Sequence, residues 1–166
     1  MNPKYIQPQD VTEQNSEAQV ELGAIRWTYD TTNGLRKWKY VQFDNGSGNV
    51  ASATNMVVYY LVATVTGGKV TNDVSDSDIN HVAGVMPVAM TDAYYGWMQI
   101  GGYNSAIRTN GDDDIAAGDA LIGGGDGTCN SVAQDTAPTN KVLGWSWAAD
   151  VDASNTVAGM ITVGEF

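Results

Sequence analysis

The chain has 166 residues with 19 acidic and 8 basic side chains, one His, one Cys and a formal net charge of −11. This is one domain's worth of sequence, long enough to bury about two-thirds of its surface without staples. The single Cys129 excludes an intramolecular disulfide framework, and one His with one Cys cannot build a zinc site of the usual composition. A sequence pI near 4.1 opposes attachment to a phosphate backbone, where Lys and Arg must displace counterions, so no nucleic-acid partner is expected.

Residues 1–23 carry Lys4 against Asp10, Glu13, Glu17 and Glu21, with Pro3 and Pro8 and a high polar content. That composition suits an extended N-terminal arm in front of a single β-domain at 24–166. The start lacks a basic segment followed by an apolar run of about 7–15 residues, so it does not read as a secretory signal. The longest apolar stretch, residues 56–63 (MVVYYLVA), falls well short of the ~20 residues that span a bilayer. The expectation is a soluble protein made in the cytoplasm with no membrane partner.

Residues 24–29 (AIRWTY) and 38–43 (WKYVQF) alternate with period 2, which places Ile25, Trp27 and Tyr29 on one face and Trp38, Tyr40 and Gln42 together on another. Between them, Thr31-Thr32-Asn33-Gly34 offers the positive φ angles of a tight hairpin. This stretch is also basic: Arg26, Arg36, Lys37 and Lys39 stand against Asp30 alone. After the loop Asn45-Gly46-Ser47-Gly48, residues 56–66 form a β-branched and aromatic run that Gly67-Gly68 ends, as a buried strand would. Residues 82–90, 96–100, 120–122, 142–147 and 157–163 read as further short strands, separated by Asp-, Asn- and Gly-rich turns. Residues 49–55 and 75–80 could each form a helical turn. No segment shows apolar spacing at i, i+3, i+4 and i+7 over three turns. The fold class is therefore all-β, a compact antiparallel barrel or sandwich with at most two short helical turns.

Catalytic patterns are lacking. His81 has no G-x-S-x-G elbow to serve, and Cys129 has no neighbouring cation in sequence to lower its pKa. Asp112-Asp113-Asp114 and Gly123-Gly124-Gly125-Asp126-Gly127 fit neither an EF-hand loop nor a repeated Gly/Asp nonapeptide, and the glycine run lacks the Lys and Ser/Thr of a phosphate loop. No enzyme activity, cofactor or metal is expected. The five tryptophans and eight tyrosines can fill the core and subunit contacts, or they can stack on sugars.

The succession Val82-Ala83-Gly84-Val85, Tyr95-Gly96-Trp97-Met98-Gln99-Ile100-Gly101-Gly102, Ile115-Ala116-Ala117-Gly118-Asp119-Ala120-Leu121, Val142-Leu143-Gly144-Trp145 and a closing strand at 157–163 resembles small capsid decoration (cement) proteins of tailed bacteriophages. The likeness covers about residues 80–163 and rests on the order and spacing of the motifs. It implies a virion structural protein on the outer capsid surface that stabilises the lattice of the major capsid protein, assembled with copies of itself as a homotrimer. Pro3, Tyr5, Ile6 and Val11 of the arm, with Arg26, Trp27, Arg36, Lys37 and Lys39 of the hairpin, are the expected contacts to capsid or neighbouring subunit. In this reading the basic hairpin faces the shell, and residues 70–135, with a local balance of −9, face solvent. The other reading open to these residues is a head fibre or carbohydrate-binding module that recognises host surface glycans.

Overall fold

The computed structural model describes residues 10–61, 68–77, 79–111, 114–150 and 155–163. It is all-β. The strands are β1 (Gln14–Asn15), β2 (Ile25–Asp30), β3 (Gly34–Asp44), β4 (Met56–Tyr60), β5 (Lys69–Thr71), β6 (Val82–Met86), β7 (Tyr95–Arg108), β8 (Ala120–Gly123), β9 (Cys129–Val132), β10 (Val142–Ser146) and β11 (Thr156–Ile161). Short 3-10 turns at Val74–Asp76 and Ile79–His81 precede β6. They fall where a helical turn was expected at 75–80, whereas 49–55 is turn and coil.

All strands belong to one mixed sheet, with β2 at one end of the strand order and β9 at the other. Pairing also runs in a ring, from β3 to β5, β4, β6 and β7 and back to β3. The β3–β5 rung is parallel, and the β6–β7 seam has one registered pair, Val85↔Gln99, so the ring is not a regular barrel. Inside it lie Val41, Phe43, Met56, Val58, Val70, Ala83, Met86, Met98 and Ile100. Strands β8 to β11 continue from the far half of β7 and close over the outside of β4 and β6. Val57, Tyr59, Val82 and Val85 pack there against Ile107, Leu121, Cys129, Leu143, Val157 and Ile161. The continuous apolar run in β4 follows from this arrangement: Met56 and Val58 fill one core and Val57 and Tyr59 the other.

A third cluster covers the opposite face of β3 and β7: Trp38, Tyr40 and Trp97, with Val11, Val20, Leu22 and Ala24 against them. Residues 10–23, expected in the arm, thus run along the sheet. Gln14 and Asn15 pair with Gly96 and Tyr95, and the Gln19 amide donates to the Tyr40 hydroxyl at 3.1 Å.

Several elements differ from expectation: β6 ends at Met86, short of 90, and β4 ends at Tyr60, with residues 62–66 of the expected strand lying outside the described residues. β7 runs through Gly101-Gly102 to Arg108, changing partner there from β3 to β11. Gly102, at φ +90°, makes the bend, and the Gln99 side-chain amide donates to the carbonyls of Gly101, Gly102 and Tyr103. β5 and β9 are short and were not anticipated: each is too brief or too polar for an alternation signal.

Candidate functional site

The hairpin forms as its residues dictate. Ile25 to Asp30 pair with Lys39 to Gly34 in continuous antiparallel register. Asp30 closes the turn by accepting from the backbone of Thr32 at 2.9 Å and of Asn33 at 2.6 Å. These donors hold its carboxyl below the usual aspartate range. The positive φ is confined to Gly34 at +71°; Asn33 does not share it, so the connection is a three-residue loop and not the two-residue Asn-Gly turn the dipeptide suggests.

Period 2 then divides the basic residues between two faces. On one, Arg36 binds Asp30 at 2.5 Å and lies 5.3 Å from the Trp38 ring centroid. Arg26 shares that face, 5.7 Å from the centroid of Trp97. Both guanidiniums serve to cover the buried aromatic cluster. On the other face, Lys37 sits 5.2 Å from the Trp27 ring centroid, and Lys39 lies over Tyr60 at 4.7 Å while donating to its hydroxyl at 2.9 Å. Neither lysine makes an ion pair among the described residues. A third, Lys141, comes close enough to Lys39 for the two charges to repel; partial burial and this repulsion hold its ammonium below the usual lysine range.

The lysine face is also apolar. Ile25, Trp27, Tyr29 and Leu35 are 49%, 52%, 74% and 56% exposed. They lie on opposed rungs of β2 and β3, with Trp27 opposite Lys37 and Tyr29 opposite Leu35. Because β2 ends the strand order, its outer backbone edge has no strand partner among the described residues.

Of the other expected contact residues, Val11 is half-buried against the Trp38 cluster. Pro3, Tyr5 and Ile6 lie outside the described residues. Period 2 in the sequence already places Ile25 and Tyr29 on the face of Trp27, though not among the expected contacts; Leu35 follows from the same alternation, as it shares a face with Lys37, whereas the approach of Lys141 depends on the fold.

The tryptophans divide. Trp38 and Trp97 are core residues, while Trp27, Trp145 and Trp147 are exposed. Trp145 and Trp147 lie on the outer face of the β7–β11–β10 layer, where Tyr103, Met160 and Trp145 stand in register across three strands.

The acidic residues of the second half are less freely solvated than their composition suggests. Asp73 is buried and accepts from the Gly48 and Ser75 backbones and the Ser75 hydroxyl, Asp76 accepts from Ser47, and Asp126 accepts from the Val74 amide. These carboxylates tie the 45–49 loop and the first 3-10 turn together. Asp119, also buried, caps the Ala116 amide. Asp114 is exposed, while Asp112 and Asp113 lie outside the described residues. No group of three or more His, Cys, Asp or Glu side chains among the described residues is placed to share a metal ion. Cys129 is fully buried in the core, and burial pushes its thiol up to about 12. His81 is half-buried at the start of β6.

The fold is all-β, and its edge hairpin carries an exposed apolar face bordered by lysines. The chain matches no protein-family model, no curated protein and no solved structure.

Proposed function

We propose that the chain is a virion structural protein that attaches to the outside of a bacteriophage capsid and stabilises the lattice of the major capsid protein. The observation that carries attachment is the exposed face of Ile25, Trp27, Tyr29 and Leu35 bordered by Lys37 and Lys39. Exposed large apolar side chains grouped on an edge strand are characteristic of surfaces covered by a partner, and aromatic residues are enriched in such contacts. The lysines select the partner's chemistry: an acidic surface, approached by a protein whose own net charge of −11 would otherwise repel it. The identification of that surface as a capsid shell rests on the sequence resemblance of residues 80–163. Binding to the assembled lattice and not to separated subunits raises lattice stability by mass action. Assembly as a closed homotrimer would multiply a contact that is small for one copy.

The two faces of the hairpin supply the experiment. Purified undecorated capsids are incubated with the wild-type protein, with Lys37→Glu/Lys39→Glu and with Arg36→Gln. Loss of occupancy in the double variant with retention in Arg36→Gln is expected, because Arg36 is bound to Asp30 on the opposite face. Equal occupancy by wild type and double variant overturns docking through this face; failure of the wild type to bind any capsid overturns the capsid reading.

A further inference from the structure

We propose a second binding site, independent of the hairpin's docking face, that accepts a neutral saccharide in the cleft between Trp147 and the hairpin loop. The cleft has a volume of about 550 Å³ and is lined by Thr32, Asn33, Tyr103, Ser105, Trp147 and Met160. That volume lies within the range of about 300–1,000 Å³ that small-ligand sites occupy.

The chemistry of the lining selects the ligand. Trp147 is 67% exposed, which is costly for the largest apolar side chain unless its face has a use. Tyr103 meets it edge to face, with centroids 6.4 Å apart and planes at 80°, so the indole is braced by a neighbouring ring. The Trp147 backbone is fixed to β11 by its amide, which donates to the Ala158 carbonyl at 2.7 Å. The lining adds two hydroxyls, of Thr32 and Ser105, and the amide of Asn33; Ser105 follows Tyr103 by two residues in β7 and shares its face, while Thr32 and Asn33 come from the hairpin loop. Asp30 holds both loop residues in place through their backbone amides, and takes the Asn33 side-chain nitrogen at 3.4 Å. A flat apolar wall bordered by short polar groups matches the two surfaces of a pyranose, whose C–H face packs on an aromatic ring while its hydroxyls exchange hydrogen bonds.

Other ligand classes fit less well. The described lining contains no Lys, Arg, Asp or Glu, so an anionic ligand would find no cation and a cationic ligand no carboxylate. Asp30, which holds the Thr32 and Asn33 amides, is already paired with Arg36. A nucleotide would bring phosphate to a chain of net charge −11. A purely apolar occupant would cover the Thr32 and Ser105 hydroxyls without offering them a partner. The platform also extends beyond one ring, since Met160 stands between Tyr103 and Trp145 in register, and Trp145 is exposed. An oligosaccharide therefore gains contacts that a monosaccharide cannot make.

The test is calorimetric titration of the full chain with cellobiose, maltotriose, lactose and N,N′-diacetylchitobiose, repeated on Trp147→Ala and Trp27→Ala. Saturable binding of at least one sugar with a dissociation constant on the order of 1 mM is expected, weakened about tenfold or more in Trp147→Ala and unchanged in Trp27→Ala. Circular dichroism of Trp147→Ala should match the wild type, because the side chain lies outside the core. The proposal is overturned if none of the four sugars binds, or if binding survives in Trp147→Ala. It is equally overturned if Trp147→Ala lowers the oligomeric state in sedimentation, which would make the cleft a subunit contact. Capsid occupancy by the lysine variants does not bear on any of these outcomes, so this site and the docking face succeed or fail separately.

Discussion

Trp27 and Lys37 face each other across the β2–β3 ladder, with the ammonium 5.2 Å from the ring centroid, and neither is needed to fill the core. A cation over an exposed ring contributes about 0.5–1 kcal/mol. Trp27→Ala should therefore lower unfolding stability by about 1 kcal/mol or less. Trp38→Ala, which removes a ring 1% exposed and its hydrogen bond to Thr28 at 2.8 Å, should cost about 3–5 kcal/mol. Urea titrations of the two variants check the contrast. A large loss in Trp27→Ala would assign its ring to folding and remove the main support for a docking role.

Two glycines with the same unusual backbone separate conformational strain from lack of space. Gly34 and Gly102 have φ of +71° and +90°. A Cβ at Gly34 would meet nothing within 4 Å, whereas at Gly102 it would overlap the Leu35 carbonyl and lie 3.0 Å from the Arg36 Cα. Gly34→Ala should cost about 1–2 kcal/mol, the left-handed penalty alone. Gly102→Ala adds overpacking against the hairpin backbone, about 1–3 kcal/mol more, at the point where β7 bends from β3 to β11. Thermal unfolding of both variants would show whether that order holds.

What the sequence made legible follows period and punctuation. The β2–β3 hairpin and the cores of β4, β6, β10 and β11 could be read because alternation or a β-branched run reached the needed length. In β7, Gly101-Gly102 has the composition of a stop but supplies a bend within one strand, and the following Tyr103 to Arg108 is too polar to signal a strand. β5 depends on a partner distant in sequence, through the parallel pairing of Val70 with Phe43, whereas β9 pairs with the neighbouring β8 but is too short and polar to signal a strand. The charge pattern was legible as amount and not as placement. Arg36 and Lys37 are neighbours in sequence, yet alternate side chains send one to an ion pair and the other to the exposed face. The aspartates of the second half likewise read as solvated charge until the fold brings backbone amides to them.

Asp73 illustrates that use and gives a pH prediction. The Ser75 hydroxyl first, and the backbone amides of Gly48 and Ser75, hold its carboxyl below the usual aspartate value. A depressed folded value means that its contribution is complete above the unfolded aspartate pKa, about 3.9, and is lost as pH falls through the lower folded value. Asp73→Asn should lower stability at pH 7 by about 1 kcal/mol, since the loop it fastens is open to water, and the difference should narrow at about pH 3, below the unfolded aspartate pKa. Urea midpoints at the two pH values measure this. A constant gap between variant and wild type would mean that the charge on Asp73 is not what holds the 45–49 loop.

Cys129 reports on the joint between the ring of strands and the β8–β11 layer. Its side chain is fully buried beside Val57, Tyr59, Leu121 and Leu143, and burial raises the thiol to about 12. At pH 8 it is therefore protonated and shielded, and reaction with a thiol reagent requires the two layers to part. The native protein should react far more slowly than the chain in concentrated guanidinium, where one equivalent should be modified at once. If partial opening is the route, labelling should accelerate in Leu143→Ala, which loosens the same core, and stay unchanged in Trp27→Ala on the hairpin. Rapid labelling of the native wild type would place Cys129 at an accessible surface and contradict the packing of β9 into this core.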